Sequence, residues 1–150
     1  MSALATAGAG FLLAVLWMDL MFDVQVLRHR SGAPELPEPV LVSIAGYYRR
    51  VTTDASPMGR AIAVVMLATF GALLGELFRG GRPAWVSLAS LGLAAAPVAL
   101  AGLRVFPNAV RLGARRDAPA EQSRLARAIC RDHLVCLAAV GALLAIRLGA

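Results

Sequence analysis

The chain has 150 residues, about the length of one domain, and 59% of them are hydrophobic, with a mean hydropathy of +0.69. That is too apolar for an ordinary soluble domain of this size. The net charge of +6 comes entirely from arginine, because lysine is absent. Basic proteins often bind nucleic acid, but these arginines flank apolar segments instead of forming a soluble basic face, which excludes that class.

Four apolar segments predict four membrane-spanning helices, since a span needs roughly 20 apolar residues. We expect spans at about 3–27, 58–79, 83–112 and 119–148. The fourth has a shorter uninterrupted apolar run, 134–146, and reaches the required length if Arg131 and Arg147 extend outward to the membrane surface. The sequence therefore predicts an all-α integral membrane protein, a single four-transmembrane-helix bundle.

A Pro-rich piece at 33–39 follows the first span, and a segment with helical apolar spacing follows at 40–53. This segment contains Tyr47 and Tyr48 and then two arginines. Tyrosine and arginine at the end of an apolar segment are typical of a membrane interface. We therefore expect a short interfacial helix between spans one and two.

Twelve of the fifteen arginines lie in, or at the edges of, the first and third connections. Arginine is enriched in the cytoplasmic loops of membrane proteins. This predicts that connections one and three are cytoplasmic and that both termini are outside. The heavy use of Ala, Gly and Arg indicates a GC-rich bacterial genome, so the expected location is the cell inner membrane.

Asp19 and Asp23 lie one helical turn apart inside the first apolar segment. Ionisable groups at membrane depth are costly, so they usually face protein or water and often mark function. Such a pair can act as a general base, a proton relay or metal ligands. Alternatively, Asp19 pairs with an arginine such as Arg104 or Arg111 and only fixes helix register.

His133 opens the last apolar run at the same predicted membrane level. It can be a base, an axial ligand or a hydrogen-bond donor, or simply a histidine at the start of a helix. Cys130 and Cys136 flank it in steps of three, but one helix supplies a poor tetrahedral metal site. His29 could complete a two-histidine haem site, although its position favours the headgroups. We predict no metal site and leave the cofactor open.

Near the end of helix three, Arg104, Asn108 and Arg111 share one face, and Pro107 should kink the helix. Turned inward, this face would counter the aspartates and, with the two tyrosines, bind substrate. Turned outward, it would contact lipid phosphates. Gly113 can end this helix.

At the opposite membrane end, Glu76 has a ready intrahelical partner in Arg79. Gly71 and Gly75 are spaced for close helix packing.

The order of these features resembles the small four-helix membrane proteins of the anthrone-oxygenase-like group. The resemblance covers most of the chain in layout and rests on Pro107-Asn108 with Leu112, and on His133 at the start of helix four. This chain has Cys136 where the group leads us to expect a basic residue, and the aspartate pair is not a feature of the resemblance. The resemblance implies cofactor-poor oxidation of a polycyclic phenolic substrate, or the still unassigned role of many bacterial members of the group.

Three functions follow as hypotheses. The first is a membrane oxidoreductase with Asp19 or Asp23 as base and His133 as second acid–base group, while Asn108 and Arg104 hold an enolate or phenolate oxygen. The second is a proton-coupled transporter, which would require a homo-oligomer. The third is a non-catalytic binding or assembly subunit of a membrane complex. The expected partners are membrane lipids and an apolar or aromatic small molecule.

Overall fold

A computed structural model describes residues 2–29, 34–80 and 82–149, and within those ranges the chain is helical and contains no strand. A 3₁₀ turn, Val24–His29, extends the first helix, and π-helical turns at Arg50–Asp54 and Ala101–Val105 follow the second and fourth. The α-helices of the described residues are α1 (Ser2–Asp23), α2 (Glu38–Arg49), α3 (Ser56–Arg79), α4 (Ala84–Leu100), α5 (Phe106–Ala114) and α6 (Pro119–Gly149).

Four helical segments are long and apolar enough to cross a membrane: Ala3–His29, Pro57–Arg79, Ala84–Ala114 and Pro119–Gly149. They form a closed ring, in which α1 and α4 each pack against both α3 and α6. Large apolar side chains such as Leu67 and Phe78 are exposed on the outside of the ring, where lipid would surround them. The predicted all-α bundle of four spanning helices is confirmed.

The predicted short helix between spans one and two is α2, which packs against α5. The crossing is close at Gly113, where a Cβ atom would lie 2.8 Å from the backbone nitrogen of Arg49. Gly113 was expected to end the third span, and this expectation is corrected. The helix ends at Ala114, and Arg115 takes the left-handed conformation with φ 51°.

Two apolar cores fill the bundle. The first core joins α2, α5, the 3₁₀ turn and the first half of α6, around Leu41, Leu112 and Ile129. The second core joins α1, α3, α4 and the last half of α6, around Leu73 and Leu143. We call the side of the first core the arginine-rich end, and the side where α3 ends and α4 begins the opposite end.

At the opposite end, Glu76 pairs with Arg147 of α6 and not with its helical neighbour Arg79, which corrects the expected intrahelical pair. Two hydrogen bonds join the guanidinium to the carboxylate, at 2.5 Å (Nη1 to Oε2) and 2.9 Å (Nη2 to Oε1). The Arg147 side chain is 1% exposed. The expectation that it extends outward to the membrane surface is therefore wrong. This pair ties α6 to α3.

The close helix approach within the membrane bundle lies at Gly8 and not at Gly71. A Cβ atom on Gly71 would meet open space, whereas one on Gly8 would overlap the hydroxyl of Thr69 on α3. Gly71 therefore makes no close helix contact within the described part of this chain.

Candidate functional site

A polar cluster lies between the two cores, where α1 ends, α2 crosses and α6 passes through. Asp19 and Asp23 come from the last turns of α1, Tyr47 and Tyr48 from the end of α2, and His133 from the middle of α6. His133 directly precedes the apolar run of α6. Such a placement puts the cluster at the boundary between the apolar span and its polar flank.

Asp23 is the centre of the cluster, since it is fully buried and bound from two sides. Its Oδ2 lies 2.6 Å from Nδ1 of His133, and its Oδ1 accepts a hydrogen bond of 2.7 Å from the Tyr48 hydroxyl. The Tyr48 oxygen is also 3.4 Å from Nδ1 of His133. Three helices therefore meet at one carboxylate, whose buried oxygens have the partners that burial requires.

Asp19 forms the second half of the cluster. Tyr47 donates a hydrogen bond of 2.5 Å to Oδ1 of Asp19, while Oδ2 of the same carboxylate lies 3.8 Å from Nε2 of His133. The Asp19 side chain is 15% exposed, against 7% for His133. The imidazole thus lies between two carboxylates, and the second of them is the more accessible.

The aromatic rings of α2 hold the two hydroxyls in place. Tyr47 stacks on Phe22 with ring centroids 4.2 Å apart, and Tyr48 packs edge-on against Tyr47 at 5.3 Å. Burial, reinforced by the charges of Asp19 on Tyr47 and of Asp23 on Tyr48, raises the pKa of both tyrosines above the usual value. Both hydroxyls therefore remain protonated donors at neutral pH.

The geometry defines what His133 can do chemically. With Nδ1 of His133 as the donor to Asp23, Nε2 is the acceptor whenever the ring is neutral. Nε2 faces Asp19 at a distance too long for a direct hydrogen bond. A hydroxyl group lying against both atoms can bridge them, which makes this gap the place where a proton can be exchanged.

The arginines of the predicted basic face of the third span do not bind the aspartates of the polar cluster. Arg104 Nε is 3.1 Å from Asp132 Oδ2, and Arg111 is exposed and pairs with Asp117 and Glu121. Neither arginine counters Asp19 or Asp23, which corrects that expectation.

Asn108 is half-buried on the same segment as the two arginines. The polar contacts that the structure gives for Asp19, Asp23 and His133 go to other residues. Of the eight predicted site residues, the structure therefore brings together Asp19, Asp23, Tyr47, Tyr48 and His133.

Asp132 is a residue that the sequence analysis missed. It is 3% exposed and lies between the side chains of Arg104 and Arg131. Asp132 could have been predicted as a site residue because it directly precedes His133 in the sequence. Cys130 and Cys136 are buried and form no disulfide bond, and the described residues contain no group of three or more metal-ligating side chains arranged to hold an ion.

Comparison with protein-family profiles, with curated proteins and with solved structures finds no match to this chain.

Proposed function

We propose that the chain is a membrane-embedded acid–base enzyme, an oxidoreductase of the oxygenase-like kind that acts on an apolar or aromatic small molecule. One observation carries the proposal: His133 lies between two carboxylates, one fully buried at 2.6 Å and one partly accessible at 3.8 Å. The contact of His133 with Asp23 alone would fit a buried pair that only stabilises the fold. A second carboxylate facing the free ring nitrogen serves proton exchange with a third group.

The proton steps follow from the two sides of the imidazole. Nε2 of His133 takes a proton from a substrate hydroxyl or acidic C–H, and Asp23 stabilises the imidazolium that results while holding the ring in orientation. Tyr48 fixes Asp23 and Tyr47 fixes Asp19. Asp19 then accepts or returns the proton on the accessible side.

The substrate class follows from the surroundings of the cluster. The site adjoins the apolar spans, so a molecule dissolved in the bilayer can approach it, and a weakly acidic phenol or enol supplies the proton. Loss of that proton gives an electron-rich anion, which dioxygen can oxidise. This reaction is the one that the resemblance to the anthrone-oxygenase-like group implies.

Hydrogen–deuterium exchange on anthrone, used as the probe, tests the proton step separately from oxidation. The purified protein in nanodiscs is incubated with anthrone in deuterated buffer without oxygen, and deuterium in the methylene group is measured by mass spectrometry. We expect Asp19→Asn and His133→Ala each to lower the enzyme-dependent exchange rate by about 10²-fold, the lower range for general acid–base catalysis. Oxygen uptake in air should fall in parallel.

Two matched controls separate this role from general effects of charge. Asp54→Asn removes an exposed carboxylate that pairs with Arg49, and His29→Ala removes the other histidine. Both controls should exchange anthrone at the rate of the unchanged protein. Helical circular dichroism reports folding in every variant. Unchanged exchange in folded Asp19→Asn and His133→Ala would sink the proposal, and so would a wild-type protein without enzyme-dependent exchange.

We also propose that the arginine-rich end faces the cytoplasm of a bacterial inner membrane, with both termini outside. The support is the arginine distribution, to which the buried pairing of Arg147 with Glu76 adds weight, because that arginine does not act as a free charge at the opposite end. A C-terminal alkaline phosphatase fusion should be active and a C-terminal green fluorescent protein fusion dark. The reverse pattern would refute this orientation.

A further inference from the structure

A groove of about 630 Å³ lies on the outside of the bundle, between the 3₁₀ turn after α1 and the first half of α6. Its floor is apolar, and arginines border it. None of the five residues of the acid–base cluster lines it, so the groove is a separate feature. The lining that matters here comprises Leu27, Cys130, Leu134, Arg124, Arg127 and Arg131.

The three arginines follow one another at steps of three and four along α6, so they share a helix face. Each already has a contact: Arg124 binds Glu121 at 2.7 Å, and Arg127 donates to the carbonyl of Pro34 at 2.9 Å. Arg131 lies 3.6 Å from Asp132 and is 67% exposed. Glu121 offsets one of the three charges, and Asp132 is shared with Arg104. The rim of the groove therefore keeps a positive charge.

The groove lies at a particular level of the bundle. Leu134 is the first residue of the apolar run of α6, and Arg131 precedes it by about one helical turn. The hydrocarbon core of a bilayer ends where such an apolar run ends, and the lipid phosphates lie just beyond it. The floor of the groove is thus at the depth of acyl chains, and its rim at the depth of phosphates.

We propose that this groove binds one anionic glycerophospholipid, with the phosphate held by the arginine rim and the first part of an acyl chain on the apolar floor. Arginine is suited to this role because its planar guanidinium can form two hydrogen bonds to one phosphate group. A zwitterionic lipid would bring its own cation to a positive rim and would bind less tightly. The proposal does not depend on the acid–base activity.

Native mass spectrometry of the full chain, released from micelles containing dioleoyl-phosphatidylglycerol or dioleoyl-phosphatidylcholine, tests the site. The protein should retain one phosphatidylglycerol molecule and little phosphatidylcholine. Arg127→Gln with Arg131→Gln should weaken phosphatidylglycerol binding about 10- to 30-fold, since each arginine near anionic lipid contributes roughly a fivefold effect. The control, Arg60→Gln with Arg116→Gln, removes two exposed arginines of the same end and should bind as the unchanged chain does.

A second variant separates the groove from diffuse attraction. Ala128 lines the groove, so Ala128→Trp should block the lipid without changing any charge. Circular dichroism checks that each variant is folded, and Arg131→Gln alone, at an exposed side chain, replaces the double variant if that one loses helicity. Equal loss in the control pair, full binding by Ala128→Trp, or displacement of the lipid by millimolar inorganic phosphate would each overturn the proposal.

Discussion

Removing either partner of the Glu76–Arg147 ion pair should destabilise the bundle strongly, although the pair is far from the acid–base cluster. The Arg147 side chain is 1% exposed and Glu76 is 13% exposed, and two hydrogen bonds join them. Breaking a buried pair by removing one partner costs about 3–5 kcal/mol, because the remaining charge stays buried without compensation. We expect Glu76→Met and Arg147→Met each to lower the free energy of unfolding by that amount.

The double variant should behave differently from the sum of the two. Replacing both partners of a buried pair by apolar residues of similar volume is often neutral or stabilising. Glu76→Met with Arg147→Met should therefore lie within about 1 kcal/mol of the unchanged chain. The coupling energy, which is the difference between the effect of the double variant and the sum of the two single effects, then exceeds the usual range for independent sites.

Equilibrium unfolding in mixed micelles, with an increasing fraction of dodecyl sulfate and tryptophan fluorescence as the signal, measures these energies. Arg79→Met is the matched control, since Arg79 is exposed one turn from Glu76, and it should change stability by less than about 0.5 kcal/mol. Single variants that cost no more than this control, or a double variant equal to the sum of the singles, would refute the reasoning.

Two further predictions concern α2. Tyr47 and Tyr48 are the only tyrosines of the chain, so absorbance at 295 nm reports on them alone. Because their pKa values are raised in the folded protein, no tyrosinate should appear until well above pH 10. The tyrosines of the unfolded chain should titrate at about pH 10. The folded state holds the two tyrosine protons more tightly than the unfolded state does. Their contribution to the free energy of unfolding is therefore complete below about pH 10 and falls as the pH rises further. Titration of the tyrosines in the folded protein at the pH of the unfolded chain would contradict this. Gly113→Ala would place a Cβ atom 2.8 Å from the backbone nitrogen of Arg49 and should cost about 1–3 kcal/mol in the same unfolding assay. The exposed Gly46 has open space, so Gly46→Ala should be neutral or stabilising by up to about 1 kcal/mol; equal effects of the two glycine substitutions would show that the α2–α5 contact is not tight.

The spans and the level of the polar residues could be predicted from sequence because both depend on order along the chain. An apolar run fixes the length of a helix, and the distance of Asp23 or His133 from the end of its run fixes the depth of that residue. The closeness of these two side chains then required that α1 and α6 be neighbours, which is one of few arrangements open to four spans, and that both side chains face the protein interior, which ionisable groups at membrane depth usually do.

The partners of the arginines could not be predicted, because they depend on the rotation of each helix about its axis. In a helix that is apolar all round, the sequence carries little information on which face turns inward. Arg147 therefore looked like a flanking charge, although Glu76, 71 positions away in the chain, lies directly against it. The same applies to Arg104, whose partner Asp132 is on another helix.

The tyrosines were predicted to bind substrate, but their hydrogen bonds to the two aspartates were not predicted. An interfacial helix explains Tyr47 and Tyr48 by their location alone. Their hydrogen bonds to Asp19 and Asp23 depend on α2 folding back against the end of α1, which is a long-range feature of the fold.

Two of the polar contacts of α6 have a mechanical consequence. His133 and Arg147 are fourteen residues apart, nearly four helical turns and about 21 Å along the axis, and they attach α6 to α1 at one level and to α3 at the other. A helix held by contacts at two separated levels can neither slide along its neighbours nor rotate about its axis unless one of the two contacts breaks. Movement of α2 must break its two tyrosine hydrogen bonds and its packing against α5, but it leaves these two contacts of α6 in place. It is therefore the motion that can open the acid–base cluster while the four-helix ring stays intact.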